Sequence, residues 1–393
     1  MYGIKWFVAL VVLVFLGFLT YEILPEHPRG QMFNGYDGIT GELSRTSDLN
    51  VHFWHDGNVY ASRRTSVYRS RDMGLTWEKV ATIGKRQGGI LRNLRHRIGT
   101  LKTVFKLKKK TGISAVTILE NGTMIATYGG IFQGVLKEGE VVRLENTYSW
   151  KDGSLLPQGL AHDGEANVFV GEYIVNKPEK PDIVIKLYCS HDQGETWKVC
   201  QEFHRSEIRH IHSVSFDPYR NLLWLTTGDA DHESTIRYSS DQGISFKHLG
   251  GGSQDWRVVS MQFSTEFIYW GTDSPGQWND VVKWNWDTGD KEVVLTARNP
   301  FYFSARDNVN GRFYFSTAVE WVEAEYPSSQ YSEIWQISDN KPPRRLLSWP
   351  KGELNMWGTI QFAQGDSPPG LLAFTPVNLG EHHRETIVLK TIE

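Results

Sequence analysis

Short runs that mix apolar, aromatic and small residues recur along this chain, each bounded by polar or glycine turns. Seven share one form: Asn58-Val59-Tyr60-Ala61, Thr123-Met124-Ile125-Ala126, Asn167-Val168-Phe169-Val170, Leu222-Leu223-Trp224-Leu225, Phe267-Ile268-Tyr269-Trp270, Arg312-Phe313-Tyr314-Phe315 and Leu371-Leu372-Ala373-Phe374. With positions 60, 125, 169, 224, 269, 314 and 373 taken as equivalent, the spacings are 65, 44, 55, 45, 45 and 59. Each run follows another strand-like run. No helical periodicity separates them, which excludes an alternating α/β sheet. A repeat near 45 residues with four strands is the blade of a β-propeller. The pattern predicts an all-β, seven-bladed β-propeller over residues 51–393, with six blades as the alternative.

Two segments depart from this rhythm. Trp6 to Leu19 is unbroken and apolar, with Lys5 before it. Roughly 19 residues from Trp6 to Leu24 would cross the ~30 Å hydrocarbon core of a bilayer. No small-x-small cleavage site precedes Pro25, and no lipobox cysteine is present. Residues 1–25 therefore read as a transmembrane signal anchor, with a cleaved signal as the other reading. Residues 26–50 read as a linker and possible closing strand. With Lys5 on the cytoplasmic side, the protein is expected to be single-pass with its propeller extracytoplasmic. The second segment is an insertion at 85–111 between the first two blades. There Ile90, Leu91, Leu94, Ile98, Leu101 and Phe105 recur at helical spacing, with Arg92, Arg95, Arg97, Lys102 and Lys106 between them. This basic amphipathic stretch suits a membrane surface over residues 90–106, an anionic polysaccharide, or a connector with solvated charges.

Composition sharpens the picture in three places. Aromatic content of 13% and 37 glycines fit short strands and tight turns. The net charge of -3 conceals ten Lys/Arg within 85–111, which leaves about -13 on the rest, so no nucleic-acid partner is expected. Cys189 and Cys200 flank one predicted hairpin, and both a disulfide and two thiols remain open for them.

Three segments share the form Ser-x-Asp-x-Gly-x-[Thr/Ser]-[Trp/Phe]: Ser70 to Trp77, Ser190 to Trp197 and Ser239 to Phe246. Their Asp and Ser side chains suit local bonds to backbone in a tight hairpin, and the Gly suits a positive φ. This form resembles the Asp box (BNR repeat) of sialidase-like propellers, and the resemblance covers roughly residues 50–393. It implies boxes between the third and fourth strands of a blade, away from the active face. Asp72, Asp192 and Asp241 are thus expected to be structural. His210 to Tyr219, Trp224 to Asp229, Gly251 to Arg257 and Tyr269 to Pro275 are similar to a group of Asp-box propellers of uncertain activity. The Phe/Tyr-Arg-Ile-Pro motif of true sialidases is missing, and no motif assigns Arg63, Arg64, Arg257 or Arg306 to a sugar carboxylate.

In a propeller, loops that precede the innermost strand and loops that follow the second strand gather on one face. Glu172, Asp229, Asp273 and Glu320 each follow a second strand, and acids that face one another raise a pKa as general acid work requires. His210 and His212 lie two apart in a strand and so point the same way, as a metal pair or a base demands. These six and Tyr173 form the expected catalytic set, with His210 and His212 as possible ligands of a divalent metal. Gln158 and His162 are weaker additions. A His/Gln set on a propeller funnel resembles oligogalacturonate lyases in architecture, without a matching motif. Arg63, Arg64, Gln158, Gln254, Trp256, Arg257, Tyr302 and Trp357 form the expected substrate-binding set, the aromatic rings serving as platforms for sugars. The expected function is a cell-surface protein that acts on or binds an acidic polysaccharide, by glycoside hydrolysis or lyase-type cleavage. The alternative is a non-catalytic scaffold or glycan-binding module.

Overall fold

The computed structural model describes residues 27–34, 42–83, 112–149, 156–174, 183–320, 329–339, 341–354 and 356–391. The expected anchor at 1–25 and the basic insertion at 85–111 lie outside them. Among the described residues, no helix is long and apolar enough to cross a membrane.

The fold is all-β and propeller-like. Each predicted run falls in a strand: Asn58–Arg63, Thr123–Thr127, Val168–Gly171, Leu222–Gly228, Phe267–Thr272, Arg312–Thr317 and Leu371–Val377. Each is the second strand of an antiparallel meander. These strands are apolar on both faces because a neighbouring meander covers each face; every residue of Leu222–Gly228 is buried. Trp224 and Trp270 are fully buried between sheets, with Met261, Phe263 and Ile268 around them.

The first strands are Asn50–His55, Ala115–Ile118, Leu160–His162, His210–Asp217, Val258–Phe263, Phe301–Asp307 and Thr359–Phe362. They touch one another in chain order, and Thr359–Phe362 returns to Asn50–His55. The last meander takes its outer strand from the other end of the chain: Glu42–Ser47 pairs with Glu385–Lys390, Thr46 opposite Thr386.

Four of the first strands share an irregularity near their start. The ladder skips one residue between Val51 and Phe53, Ile211 and Ser213, Val258 and Ser260, and Phe301 and Phe303. A bulge of this kind re-aims the side chain of the extra residue. Those residues are His52, His212, Val259 and Tyr302.

The three Asp boxes join third and fourth strands and use one bonding scheme. Asp72 Oδ1 accepts from Thr76 N (2.8 Å) and Ser70 Oγ (2.9 Å), while Gly74 N donates to Ser70 Oγ (2.8 Å). Asp192 and Asp241 repeat these bonds. Gly74 sits at φ 85°, and a Cβ there would meet Ser44 Oγ at 2.6 Å. The closing indoles clamp the preceding sheet: Trp77 Nε1 donates to Thr46 Oγ1 (2.9 Å) and Trp197 Nε1 to Thr147 Oγ1 (3.1 Å). The boxes act on sheet-to-sheet packing.

Cys189 and Cys200 form a disulfide. The hairpin ladder pairs Leu187 with Gln201 and Tyr188 with Val199, so Cys200 is the extra residue and can turn toward Cys189.

Candidate functional site

His210 opens the first strand of its meander, opposite Gly228, the last residue of the second strand. The bulge at His212 brings both imidazoles to one place, their Nε2 atoms 3.0 Å apart. Asp229 follows Gly228, and its Oδ1 lies 3.4 Å from His210 Nε2 and 3.3 Å from His212 Nε2. Gly228 makes this possible: a Cβ there would come within 2.6 Å of His212 Cε1 and 3.1 Å of Arg257 Cγ. Both histidines are buried and Asp229 is partly exposed.

The bonds around the histidines set their protons. His212 Nδ1 lies 3.2 Å from the Val258 carbonyl, which only accepts. Nδ1 therefore carries the hydrogen and Nε2 a lone pair. Burial pushes the His212 pKa down to about 4, against the pull of Asp229, so the ring is neutral. A lone pair and a carboxylate oxygen at 3.3 Å repel unless a positive charge lies between them. One proton on His210 Nε2, shared with both acceptors, serves this purpose; a metal ion does so as well. Donors bound to one ion at ~2.0–2.2 Å lie roughly 2.8–3.6 Å apart in octahedral or tetrahedral geometry. The three separations fit that range. His210 Nδ1 is buried with no partner among the described residues.

Guanidiniums flank Asp229. Arg209 Nη1 lies 3.0 Å from Oδ2 and Arg257 Nη2 3.1 Å from Oδ1. Burial acts to raise the Asp229 pKa, yet the bonds with His210 and His212 hold it well below the usual carboxylate range. Arg257 Nε also reaches Asp273 Oδ2 at 3.2 Å. Asp273 is buried, its Oδ1 has no partner among the described residues, and burial raises its pKa well above normal. Glu320 is pushed up to about 7, again by burial, with Arg257 opposing and Asp229 assisting. The three acids thus differ: Asp229 is held toward the anion, burial pushes Asp273 toward the protonated form, and Glu320 titrates near neutrality.

This arrangement has a testable cost. A carboxyl whose folded pKa lies above its unfolded value favours folding below the unfolded pKa, and that advantage is lost as pH rises through the folded one. For Glu320 the window runs from about 4.5 to about 7, a loss of roughly 3 kcal/mol. Stability should fall from about pH 4.5 to about pH 7, and Glu320→Gln should flatten much of the fall. Urea midpoints across this range would measure it; an unchanged slope in the variant would refute the assignment.

The other expected residues divide. The Tyr173 ring lies 4.1 Å from that of His210. Its pKa is pushed up to about 12, by burial first and then by Asp229, Asp273 and Glu320. At neutral pH it is an O–H donor and a poor base. Glu172 is buried, and its Oε2 accepts from Lys186 N (3.2 Å). Gln254 donates to the Asp229 carbonyl (3.0 Å) and to Asp231 Oδ1 (2.8 Å). Gln158 donates to the Tyr302 carbonyl (2.8 Å), and its Oε1 is buried without a partner among the described residues. Tyr302 meets Trp357 edge to face at 6.0 Å, with Trp357 half exposed. Trp256 stacks on Trp270 at 5.9 Å between sheets. Arg63 bonds the Tyr68 hydroxyl at 3.1 Å, and Arg64 stands beside it in the same loop.

His162 closes its first strand, whereas His210 opens its own, so His162 does not join the pair. Arg306, near the end of its strand, pairs with Asp366 at 3.0 Å. Sequence reasoning missed Arg209, although it precedes His210. It also missed Glu233, whose Oε2 accepts from Asp229 N (3.1 Å) and Ala230 N (3.0 Å) and fixes the turn that presents Asp229.

The BNR/Asp-box repeat family matches residues 188–199, which include the second box. No curated protein matches the chain. Among solved structures, an oligogalacturonate lyase in complex with manganese is similar at TM-score 0.56 and 9% identity, over 93% of this chain and 96% of that one. A chain of a mitotic checkpoint complex is similar at TM-score 0.51 and 8% identity, over 88% and 89%. The extracellular domain of BT4673 from B. thetaiotaomicron is similar at TM-score 0.48 and 11% identity, over 92% of this chain and 40% of that one. At such identities the first two likenesses speak for a propeller-like fold and for no activity.

Proposed function

We propose that this chain is a seven-bladed β-propeller, held outside the cytoplasm by residues 1–25, that binds and cleaves an acidic polysaccharide at a divalent-metal centre. The observation that carries the reading is the convergence of His210 Nε2, His212 Nε2 and Asp229 Oδ1 within 3.0 to 3.4 Å. Two imidazoles and one carboxylate suit a first-row transition ion better than calcium or magnesium, which prefer all-oxygen sites. The fold likeness to a lyase that holds manganese is in keeping with this reading.

Bound there, the ion would act as a Lewis acid on a substrate carboxylate or water. The chain's own residues supply the rest. Asp273, whose carboxyl burial pushes toward the protonated form, would hold a proton for a leaving oxygen. Glu320, near neutrality, can take or give one. Arg257 ties Asp229 to Asp273 and keeps both acids oriented. The burial of Asp273 and Glu320 favours a second reading, in which the face binds a glycan without cleaving it.

Incubation with polygalacturonate, with and without manganese, separates these readings. Lyase cleavage gives ultraviolet absorbance from an unsaturated uronate, hydrolysis gives reducing ends alone, and binding without either product leaves the non-catalytic reading. Absence of both binding and cleavage, with polygalacturonate and with other uronate polymers, would remove the proposal.

A further inference from the structure

Of the tryptophans among the described residues, only Trp278 and Trp357 stand open to solvent, at 57% and 49% exposure. The others are buried or partly so, as such large apolar rings usually are. Both exposed rings lie on the face that carries His210, His212 and Asp229. Trp278 ends the loop between Phe267–Thr272 and Asn279–Asn285, and Asp273 begins it. Trp357 sits just before the first strand Thr359–Phe362.

Arg298 stands between them. Asn279 pairs with Ala297 across the ladder, so Trp278, one before, and Arg298, one after, are neighbours. The guanidinium carbon lies 5.3 Å from the centre of the Trp278 ring. Arg298 is exposed, and among the described residues no acid pairs with it. Further along the same loop, Tyr302 meets Trp357. Trp278, Arg298, Tyr302 and Trp357 thus form a strip across successive meanders.

Buried amides brace both loops from beneath. Asn279 accepts from Ser274 N (2.6 Å) and donates to the Ser274 and Gln277 carbonyls (3.1 and 3.0 Å). Asn299 donates to the Ser329 and Tyr331 carbonyls (2.9 and 2.8 Å). A pair held this way loses little freedom when a ligand arrives. The indole leaves its apolar area in water and the cation lacks an acid, so the arrangement gains the fold little.

We propose that Trp278 and Arg298 form a subsite for a uronate unit of the glycan, beside the metal centre. The C–H face of the sugar packs on the indole, and its carboxylate pairs with the guanidinium. Tyr302 and Trp357 continue the strip for neighbouring units. Asp273, at the far end of the Trp278 loop, bonds Arg257, which bonds Asp229, so one loop joins the subsite to the centre. The choice of ligand rests on the reading of the preceding section. A nucleic acid also stacks on indoles, but it carries a phosphate on every unit, and the chain outside 85–111 has a charge of about -13.

Binding of a galacturonate trimer and of its methyl ester is measured by calorimetry on the full chain. Arg298→Gln should weaken binding of the trimer about tenfold, the loss of a charged hydrogen bond, and leave the ester unchanged. Trp278→Ala should weaken both probes alike, because it removes the platform and not the charge, and Trp278→Phe should recover much of that loss. A misfolded variant cannot produce this split. Manganese should still raise the thermal midpoint of both Arg298→Gln and Trp278→Ala, a readout of the metal centre apart from the subsite. The split without any uptake of manganese by the wild type upholds the subsite and removes the metal centre. Uptake of manganese with no binding of either probe by the wild type overturns the subsite and leaves the centre standing. Unchanged trimer affinity in either variant, equal loss of trimer and ester in Arg298→Gln, or binding of a single-stranded oligonucleotide that both variants lose also overturns the proposal.

Discussion

Replacing His212 with alanine should weaken manganese binding on the order of a hundredfold or more, about 3 kcal/mol. In the proposed centre the ring would supply one of three donor atoms, and its Nε2 lone pair is fixed by the bond between Nδ1 and the Val258 carbonyl. The two remaining donors, His210 and Asp229, are not a complete set. The fold should survive, because Asp229 keeps Arg209 and Arg257 beside it. Excess manganese should raise the thermal midpoint of the wild type and not that of the variant, since an ion that binds only the native state stabilises it by mass action. His52 provides a control. It occupies the same bulge position in the first meander, but its Nε2 meets Ser62 Oγ at 2.7 Å. His52→Ala should leave manganese affinity unchanged. Equal affinity in His212→Ala and wild type would end the metal reading.

Asp217→Ala should destabilise the fold by roughly 3–5 kcal/mol, the usual cost of leaving a buried charge without its partner. Asp217 is fully buried and lies 2.8 Å from Arg220 Nη1. The same guanidinium donates to the Ser264 and Thr265 carbonyls, each at 3.0 Å, in the hairpin turn of the next meander. The pair thus ties two sheets together at the end away from the histidines. Urea denaturation would measure the loss, and a change below about 1 kcal/mol would show that the tie adds little. Manganese binding at low denaturant should be retained, because His210 and His212 sit at the opposite end of the strand.

The strands were legible because their chemistry is local. A run such as Leu222-Leu223-Trp224-Leu225 is apolar on both faces, and only a strand buried between sheets accounts for it. The Asp boxes were legible for the same reason, since every bond of Asp72 lies within four residues. The site was legible in part. Alternation placed His210 and His212 on one side, and the repeat brought Asp229 to them. The ladder's skip at His212, which sets the 3.0 Å separation, depends on pairing with a strand that starts ten residues later, and no single residue announces it. Facing acids were expected to raise at least one pKa among them, with nothing to say which. They differ because Arg257 reaches Asp229 and Asp273 while burial dominates at Asp273 and Glu320. That ordering depends on distances between sheets, which no run of residues encodes. Trp256 precedes a first strand, and its stacking on the neighbouring Trp270 is a contact between sheets that the run of residues does not announce.

The strand Glu42–Ser47 has its partner 340 positions later, where Thr46 meets Thr386. A ribosome adding roughly 5–20 residues per second needs about 17–70 seconds to supply that partner. Throughout that interval the early strand presents an unsatisfied edge, the kind of surface that invites mispairing between nascent chains. The rate of synthesis, and whatever shields that edge in the meantime, therefore governs the yield of closed molecules as much as the stability of the finished ring.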